Sequence, residues 1–388
     1  MFCQILSISA FDESDVCLDL AAPPLNLHLN ILTFTPLLPL ILHSTGTKGN
    51  NSNRTTMISF AIIGTNWITE SWIQSAHASK QWKLTAVYSR DQETAKTFAE
   101  KYSVSTTYTS VESLAADSSV DAVYIASPNS LHYSQAKTIL SAKKHVILEK
   151  PSTSTEAELD SLFQLAKQNS VFILEAFRHI QEANFHVLSK AVNDEKRLGT
   201  LMGASLTYSS FSSRYNAVLA GEVPNIFSLD FSGGSIVDIG VYPIAFAVTL
   251  FGRPKSQTYA PYICPTGVDG GGFVTLNYDT FGVQINQSKC FTSKAPSEIY
   301  GEKGTITLNA TTDIESVAFW SNSTKKTEEL ASKKAELNMQ EEATELGRII
   351  AEKDSSAAQR LEKISRDVLA VTTDLRKQNG IVFKAERT

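Results

Sequence analysis

The chain has 388 residues and a formal net charge of −5; 42% of its residues are hydrophobic and 19% are charged. This composition is typical of a globular protein with room for two domains, and its acidic balance argues against a broad nucleic-acid-binding surface. The four cysteines have no CxxC spacing and no His/Cys/Asp cluster has ligand spacing, so we expect neither a disulfide framework nor a metal site.

Residues 1–56 differ in composition from the rest, with four acidic residues before a leucine- and proline-rich run at residues 21–42. A signal peptide fits poorly because the first 20 residues contain no lysine or arginine. A membrane span fits poorly because the run contains four prolines and several polar residues. We expect a disordered extension, or sequence that precedes a working start at Met57. A targeting segment of another type is the remaining alternative.

From Met57 to residue 176, short apolar runs alternate with helical patterns. The predicted strands are 58–63, 84–88, 122–126, 145–148 and 171–174, and the predicted helices are 67–78, 92–102, 111–116, 130–142 and 155–168. Strands and helices that alternate at this spacing indicate βαβ units and a parallel sheet. We therefore predict an N-terminal Rossmann domain over residues 57–176, within an α/β fold.

The pattern changes in residues 177–388. Strands are predicted at 201–211, 273–278, 282–286, 297–300, 305–308 and 317–320, with glycine-rich turns at 269–272, 279–282 and 301–304. Two helices, 338–352 and 355–377, and a short apolar segment at 381–383 follow. This indicates an antiparallel or mixed sheet, which is typical of a C-terminal α+β domain. Its last helices could pack back on the Rossmann domain.

A turn that could hold a dinucleotide follows the first strand. Its residues are Gly64, Thr65, Asn66, Trp67, Ile68 and Thr69. Only the first of three fingerprint glycines is present, so the segment alone could be an ordinary βα turn. Its position nevertheless predicts backbone N–H groups at a helix N-terminus, where a pyrophosphate binds. Asn66 can adopt the αL conformation that glycine usually supplies.

Ser89 and Arg90 follow the second strand, where an NAD enzyme usually has an acidic residue for the ribose 2′-hydroxyl. A guanidinium instead suits a 2′-phosphate, because it forms charge-assisted, bidentate hydrogen bonds. The pair therefore favours NADP over NAD, the alternative being that Arg90 is a solvated surface residue. We expect the next residue, Asp91, to cap the following helix.

Two further segments carry groups suited to catalysis. Lys150, in Glu149-Lys150-Pro151, follows a predicted strand at the sheet edge where ligands bind, although it could equally be a surface lysine. Asp238 and Tyr242, if they lie on one helix, share a face and could hold and deprotonate a substrate hydroxyl. The alternative is a glycine-capped helix with an aspartate favoured by the helix dipole.

With these motifs in order, the sequence resembles the Gfo/Idh/MocA oxidoreductases from about Met57 to the C-terminus. The segments that carry the resemblance are 64–68 (GTNWI), 127–132 (SPNSLH), 149–151 (EKP), 175–178 (EAFR), 233–242 (GGSIVDIGVY) and 376–381 (RKQNGI). The resemblance implies an N-terminal Rossmann domain followed by a C-terminal α+β domain with an open, mainly antiparallel sheet, for substrate binding and oligomerisation. Finding all six segments at family-like spacing is a specific signal, although the glycine motif departs from the family pattern.

The resemblance implies that Lys150, Asp238 and Tyr242 are catalytic. Lys150 would contact the nicotinamide ribose and the substrate, and Asp238 would bind the substrate. Tyr242 stands where many members have histidine, which is similar to the mostly NADP-linked glucose-fructose oxidoreductase and dimeric dihydrodiol dehydrogenase branches. The implied cofactor-binding residues are Gly64, Thr65, Asn66, Trp67, Ile68, Ser89, Arg90, Ser127, Pro128, Asn129, His132, Glu149, Lys150 and Arg178.

We therefore expect an NADP-dependent oxidoreductase that transfers a hydride between NADP and a sugar, polyol or trans-diol. Tyr242 would give or take the hydroxyl proton, Lys150 would lower the phenol pKa and polarise the carbonyl oxygen, and Asp238 would orient a hydroxyl. We expect a cytoplasmic homodimer or higher oligomer that covers the open sheet, with no nucleic-acid or membrane partner. The alternatives are a non-catalytic NADP-sensing regulator and a dinucleotide-dependent glycosidase.

Overall fold

The computed structural model describes residues 57–387. The expected extension at residues 1–56 lies outside the described residues. In the described part of the chain, no single helix is long and apolar enough to cross a membrane. Two helical segments that meet at a bend, Leu229–Asp238 and Val241–Phe251, would together be long and apolar enough, judged by length and composition only.

The first half contains a six-stranded sheet in which all neighbouring strands are parallel, in the order β3-β2-β1-β4-β5-β6. The strands are β1 (Ile58–Ile63), β2 (Trp82–Tyr88), β3 (Thr106–Tyr108), β4 (Ala122–Ile125), β5 (His145–Leu148) and β6 (Ile173–Glu175). The intervening helices are α1 (Trp67–Ala78), α2 (Gln92–Glu100), α3 (Val111–Ala115), α4 (His132–Ser141) and α5 (Glu156–Gln168). The predicted doubly wound fold is confirmed.

Both faces of this sheet are buried, which explains the continuous apolar runs of its strands. Phe60 and Tyr124 face one layer, where the Tyr124 ring stacks on Trp72 at 4.7 Å between ring centres. Ile63 and Val123 belong to the core on the opposite face. The strand order reverses between β1 and β4, so a crevice opens at the carboxyl ends of these two strands.

The second sheet has eight strands in the order β14-β13-β12-β11-β7-β10-β9-β8. Its strands are β7 (Leu201–Ser209), β8 (Ser256–Ile263), β9 (Asp269–Asn277), β10 (Gly282–Ser288), β11 (Ser297–Gly301), β12 (Gly304–Leu308), β13 (Val317–Ser321) and β14 (Thr327–Glu329). Only β7 and β10 pair in parallel; the other neighbours are antiparallel. This confirms the expected open, mainly antiparallel sheet.

Six further α-helices follow in the described part of the chain. They are α6 (Ala183–Ser189), α7 (Ser213–Leu219), α8 (Ser235–Asp238), α9 (Val241–Phe251), α10 (Gln340–Glu352) and α11 (Ser355–Lys377). Ile244 of α9 and Val371 of α11 share one core with Leu206 and Ile285 of the second sheet. Helix α10 packs instead with the first sheet, where the Trp82 indole N–H donates to the Ala343 carbonyl at 2.8 Å.

The predicted turn at residues 269–272 is wrong, because these residues begin strand β9. Glycine is needed there for close strand approach: a Cβ on Gly271 would lie 2.6 Å from the Cβ of Ser288, and one on Gly272 would lie 2.8 Å from the Cα of Pro261. The latter belongs to strand β8, which was not among the predicted strands; its proline is tolerated because β8 lies at the edge of the sheet.

Candidate active site

The turn after β1 depends on glycine at its first position. Gly64 has a φ of +110°, and a Cβ there would lie 2.6 Å from the carbonyl oxygen of Ala126, the residue after β4. Any larger residue would therefore push apart the two strands at whose ends the crevice opens. This contact fixes the shape of the turn although the other two fingerprint glycines are missing.

Asn66 acts as the cap of helix α1 rather than as a substitute for glycine. Its backbone is extended, with φ −101° and ψ 177°, so the expected αL conformation is wrong. The side-chain oxygen accepts hydrogen bonds from the N–H groups of Ile68 and Thr69 at 3.1 and 3.2 Å. The side-chain amide donates to the Ala126 carbonyl at 3.1 Å, which ties the helix start to β4.

A cleft of about 230 Å³ lies at this switch point. Its lining residues are Ile63, Gly64, Thr65, Asn66, Tyr88, Ser89, Arg90, Ala126, Ser127, Pro128, Leu131 and Gln135. Seven of the residues predicted to bind a cofactor are among them, from three different loops. Asp91 caps α2 by accepting from the Thr94 N–H at 2.7 Å, as expected, which leaves Ser89 and Arg90 to line the cleft.

Other predicted cofactor residues lie at the margin of this cleft or behind it. Trp67 is 74% exposed, and Ile68 is half-buried. The buried His132 ring contacts the carbonyl oxygens of Pro151 and Ser127 at 3.0 and 2.9 Å, and burial lowers its pKa. A neutral ring donates to only one of these carbonyls, so His132 joins the turn after β4 to the segment after β5.

Lys150 and Asp238 meet across the two sheets. Lys150 follows β5, and its Nζ donates to the backbone carbonyl of Asp238 at 3.0 Å and to its Oδ1 at 3.1 Å. Burial lowers the pKa of Lys150, but facing groups that include Tyr242 and Asp238 outweigh burial and raise it above its ordinary value. The lysine is therefore held as a cation. Its neighbour Glu149 accepts from the Tyr124 hydroxyl at 2.7 Å.

Asp238 and Tyr242 do not share one helix, so the expected i, i+4 face is wrong. Asp238 ends the four-residue α8, and Tyr242 belongs to α9, which begins after Gly240. The Tyr242 N–H donates to the Ile239 carbonyl at 3.1 Å, only three residues back. Lys150 still contacts both residues, since its Nζ lies 4.8 Å from the centre of the Tyr242 ring.

The Tyr242 ring is enclosed by other aromatic groups. His179 and Tyr208 pack against it edge-on, at 5.1 and 5.3 Å between ring centres. Burial raises the pKa of Tyr242 to about 12, and the opposing charge of Lys150 only limits that rise. Lys150 therefore lowers the phenol pKa, as expected, but desolvation outweighs the cation and the phenol is neutral near pH 7.

Lys289 is a site residue that the sequence analysis missed. It follows strand β10, and its Nζ donates to Asp238 Oδ2 at 2.6 Å and to the Ile226 carbonyl at 3.2 Å. Burial raises the pKa of Asp238, but Lys289 and Lys150 outweigh it and hold the pKa far below its ordinary value. A lysine at the carboxyl end of a strand was a weak signal, and its partner lies 51 residues away.

Arg178 lies outside the lining of the cleft. Its Nη2 pairs with Asp313 Oδ2 at 2.7 Å, and its Nη1 lies 3.5 Å from Glu182. The guanidinium carbon is 5.9 Å from the centre of the Tyr242 ring. The structure therefore places Arg178 beside the Lys150–Asp238–Tyr242 cluster, on the side of the second domain.

The parallel sheet, with its glycine turn and its cleft at the switch point, has the architecture of a dinucleotide-binding protein. The cluster of Lys150, Asp238 and Tyr242 lies at the same edge of this sheet. Residues 58–177 match the oxidoreductase family with an NAD-binding Rossmann fold, and residues 187–307 match the GFO/IDH/MocA C-terminal domain. The chain belongs to the Gfo/Idh/MocA oxidoreductase family, as the sequence motifs predicted.

Individual proteins show the same relationship. The uncharacterized oxidoreductase YgjR of Escherichia coli K12 is 40% identical over 330 residues, which cover 85% of this chain and 99% of that protein. The scyllo-inositol 2-dehydrogenase (NADP(+)) IolU of Bacillus subtilis is 39% identical and covers 85% and 100%. KijD10, a 3-ketoreductase from Actinomadura kijaniata solved with NADP, shares the fold at a TM-score of 0.69 and 19% identity over 83% and 97% of the chains.

Glu175 lies at the end of β6, beside the strand that precedes Lys150, and Glu175 Oε1 accepts from the Ser152 N–H at 2.9 Å. Burial raises the pKa of Glu175 to about 7, against 4.5 for an ordinary glutamate. The folded protein therefore keeps this proton to a higher pH than the unfolded chain. Stability from this group is complete below pH 4.5 and is lost as the pH rises to about 7.

We expect Glu175→Gln to remove this decline, which amounts to at most about 3.5 kcal/mol at about 1.4 kcal/mol per pH unit. Denaturant unfolding of wild type and variant at about pH 5 and about pH 8 measures the difference. The exposed Glu100→Gln on α2 serves as a control and should retain the wild-type dependence. Identical pH dependence in Glu175→Gln and wild type would contradict the assignment.

Proposed function

We propose that this chain is an NADP-dependent dehydrogenase or reductase acting on the CH–OH group of a sugar, polyol or diol. The observation that carries the proposal is the cluster of Lys150, Asp238 and Tyr242. It lies at the end of β5, next to β4, whose end lines the cleft. We assign residues 57–176 to the cofactor domain and residues 177–388 to the substrate and oligomerisation domain.

The residues of the cleft fit a dinucleotide phosphate. The turn from Gly64 to Asn66 offers backbone N–H groups at a helix start, and Ser89 and Arg90 offer a hydroxyl and a guanidinium to a 2′-phosphate. Bound NADP supplies or accepts the hydride at C4 of its nicotinamide. The names of IolU and of a Haloferax volcanii xylose dehydrogenase, both specified for NADP(+), support this choice.

The cluster itself manages charge and protons. Lys150, held as a cation, can polarise a substrate carbonyl oxygen. Neutral Tyr242 can give that oxygen a proton in reduction, and the resulting phenolate would be stabilised by the ammonium over its ring. Oxidation is the reverse step, so Tyr242 must first lose its own proton before the phenolate can accept that of the substrate hydroxyl. Asp238 stays ionised, so it orients a substrate hydroxyl rather than exchanging protons with it.

The substrate class is proposed from the same cluster together with the relatives. An anionic acceptor and a cation side by side suit a molecule with adjacent hydroxyl groups, one to be oxidised and one to be held. The relatives are named for scyllo-inositol, D-xylose and trans-1,2-dihydrobenzene-1,2-diol, all of which have hydroxyls on neighbouring carbons.

We expect Lys150→Ala and Tyr242→Phe each to lower kcat/KM by about 100-fold or more, because each removes a group that acts in the transition state. NADPH formation with a panel of inositols, aldoses and trans-diols measures the effect. Lys137→Ala and Tyr133→Phe are matched controls, since this lysine lies 5.6 Å from the tyrosine ring on helix α4. Unchanged turnover in both cluster variants would refute their roles.

We expect Arg90→Ala to lower kcat/KM for NADP by about 10- to 100-fold, because charge-assisted hydrogen bonds to the 2′-phosphate are lost. Its kcat/KM for NAD should be unchanged. Steady-state kinetics with both cofactors measure the ratio, and Lys96→Ala, which removes an exposed cation from the adjacent helix α2, is the control. An equal loss with both cofactors would mean that Arg90 does not read the 2′-phosphate.

We also propose a homodimer or higher oligomer that covers the outer face of the second sheet. Phe273 is 59% exposed, Tyr262 50% and Trp320 39%, and all three lie on the face opposite the core of α9 and α11. Exposed aromatic residues on a broad sheet are typical of a protein interface. We further propose a cytoplasmic location, which the low cysteine content supports.

In sedimentation velocity we expect wild type to run as a dimer or larger species and Phe273→Lys to shift toward monomer, since a charge would be buried at the interface. Leu219→Lys, an equally exposed apolar position on helix α7, is the control. A monomeric wild type, or dissociation by the control alone, would overturn this interface.

A further inference from the structure

Lys289 contacts Asp238 but has no part in the proposed reaction. Its side chain is only 1% exposed, whereas the side chain of Asp238 is 30% exposed. The Nζ lies 4.5 Å from the centre of the Phe227 ring and donates to the Ile226 carbonyl and to Asp238 Oδ2. A lysine this deeply buried is rare unless its charge is paired, and here the partner is a residue of the candidate active site.

The two lysines divide the Asp238 carboxylate between them. Lys289 takes Oδ2 at 2.6 Å, and Lys150 takes Oδ1 at 3.1 Å. With Oδ2 engaged from inside the second domain, rotation of the carboxylate would break the shorter of the two contacts. Oδ1 is thereby directed at Lys150, and the exposed part of the carboxylate remains available to a substrate hydroxyl.

Other ionisable groups near Lys289 do not replace this partner. Asp269, at the start of β9, accepts from the Ile236 N–H at 2.6 Å and from the Tyr259 hydroxyl at 2.7 Å. The thiols of Cys264 and Cys290 lie 3.9 Å apart beside the same strands. The other charged group that contacts Asp238 is Lys150, and the neutral phenol of Tyr242 lies on the far side of Lys150. Asp238 is therefore the carboxylate that Lys289 directly contacts.

We propose that Lys289 is a positioning residue: by binding Asp238 Oδ2, it fixes the carboxylate that orients the Lys150 ammonium and the substrate hydroxyl. The proposal rests on the proposed function. In this role Lys289 acts through Asp238 and does not need to contact the substrate. Without the second ammonium, the carboxylate would be free to turn and would take up a proton at higher pH, which would release Lys150.

The test compares the pH profiles of wild type, Lys289→Met and Lys289→Arg. Lys289→Met should introduce an acidic limb into the profile of kcat/KM, with activity falling about tenfold for each pH unit below the new apparent pKa. Activity should recover toward alkaline pH. Lys289→Arg keeps the charge, so it should keep the wild-type profile even if its melting temperature falls. Lys255→Met, which removes a surface partner of Asp279, is the matched control.

A double-mutant cycle with Asp238→Asn separates positioning from packing. If Lys289 acts through Asp238, adding Lys289→Met to Asp238→Asn should cause little further loss of kcat/KM, because the shared effect is already gone. The affinity for NADP, measured by fluorescence titration, should be unchanged in Lys289→Met. Additive losses with an unshifted pH profile would overturn the proposal and leave Lys289 a packing residue.

A second readout does not depend on turnover. In Lys289→Met, protonation of Asp238 should add a pH-dependent change in melting temperature that Asp238→Asn abolishes in the same background. If wild type oxidised no substrate while this linkage was present, the proposed function would fail and the coupling of Lys289 to Asp238 would stand. If turnover were normal and the linkage were absent, the positioning role would fail alone.

Discussion

The contact between Lys150 and Asp238 is the constraint on which the site depends. The lysine follows β5 of the parallel sheet, and the aspartate ends a short helix that packs on the second sheet. The candidate catalytic set needs both domains, because Lys150 comes from the first and Asp238 and Tyr242 come from the second. Two hydrogen bonds to Ser232 also join the two domains. The Asn129 side-chain amide donates to the Ser232 carbonyl at 3.0 Å, and the hydroxyls of Ser154 and Ser232 lie 2.6 Å apart. The folding of both domains therefore sets the geometry of the candidate active site.

Charge compensation explains why the site can be buried. One carboxylate, Asp238, faces two ammonium groups, and the excess positive charge lies under the Tyr242 and Phe227 rings, whose faces attract cations. Desolvating a single charge here would be costly, whereas a paired set with aromatic neighbours is tolerated. The same arrangement separates the protonation states: the carboxylate stays ionised, the lysine stays protonated and the phenol stays neutral. Only the phenol is then suited to give up a proton.

The alternation of strands and helices in the first domain could be predicted because each buried strand is a continuous apolar run. Strand β1 and helix α1, for example, begin and end at the predicted residues. The start of β9 could not, because glycines at 270–272 usually mark a turn, and here they are required by Ser288 and Pro261 of neighbouring strands. The sequence motifs identified Lys150, Asp238 and Tyr242 as candidates, and in the structure Lys150 contacts the other two. Lys289 could not be found in this way, because its role arises from a tertiary contact rather than from a local pattern.

The missing glycines also show why a fingerprint and a binding geometry are different things. A glycine at position 66 would leave the first N–H groups of α1 without a side-chain partner, whereas Asn66 satisfies those of Ile68 and Thr69 itself. The phosphate would then bind to the turn that precedes these capped groups, where Gly64 keeps the backbone close to Ala126. Asn66 also donates to the Ala126 carbonyl, so its side chain holds the turn both to the start of α1 and to the residue after β4. Departure from the glycine pattern is therefore compatible with cofactor binding, because the shape of the turn is maintained by hydrogen bonds.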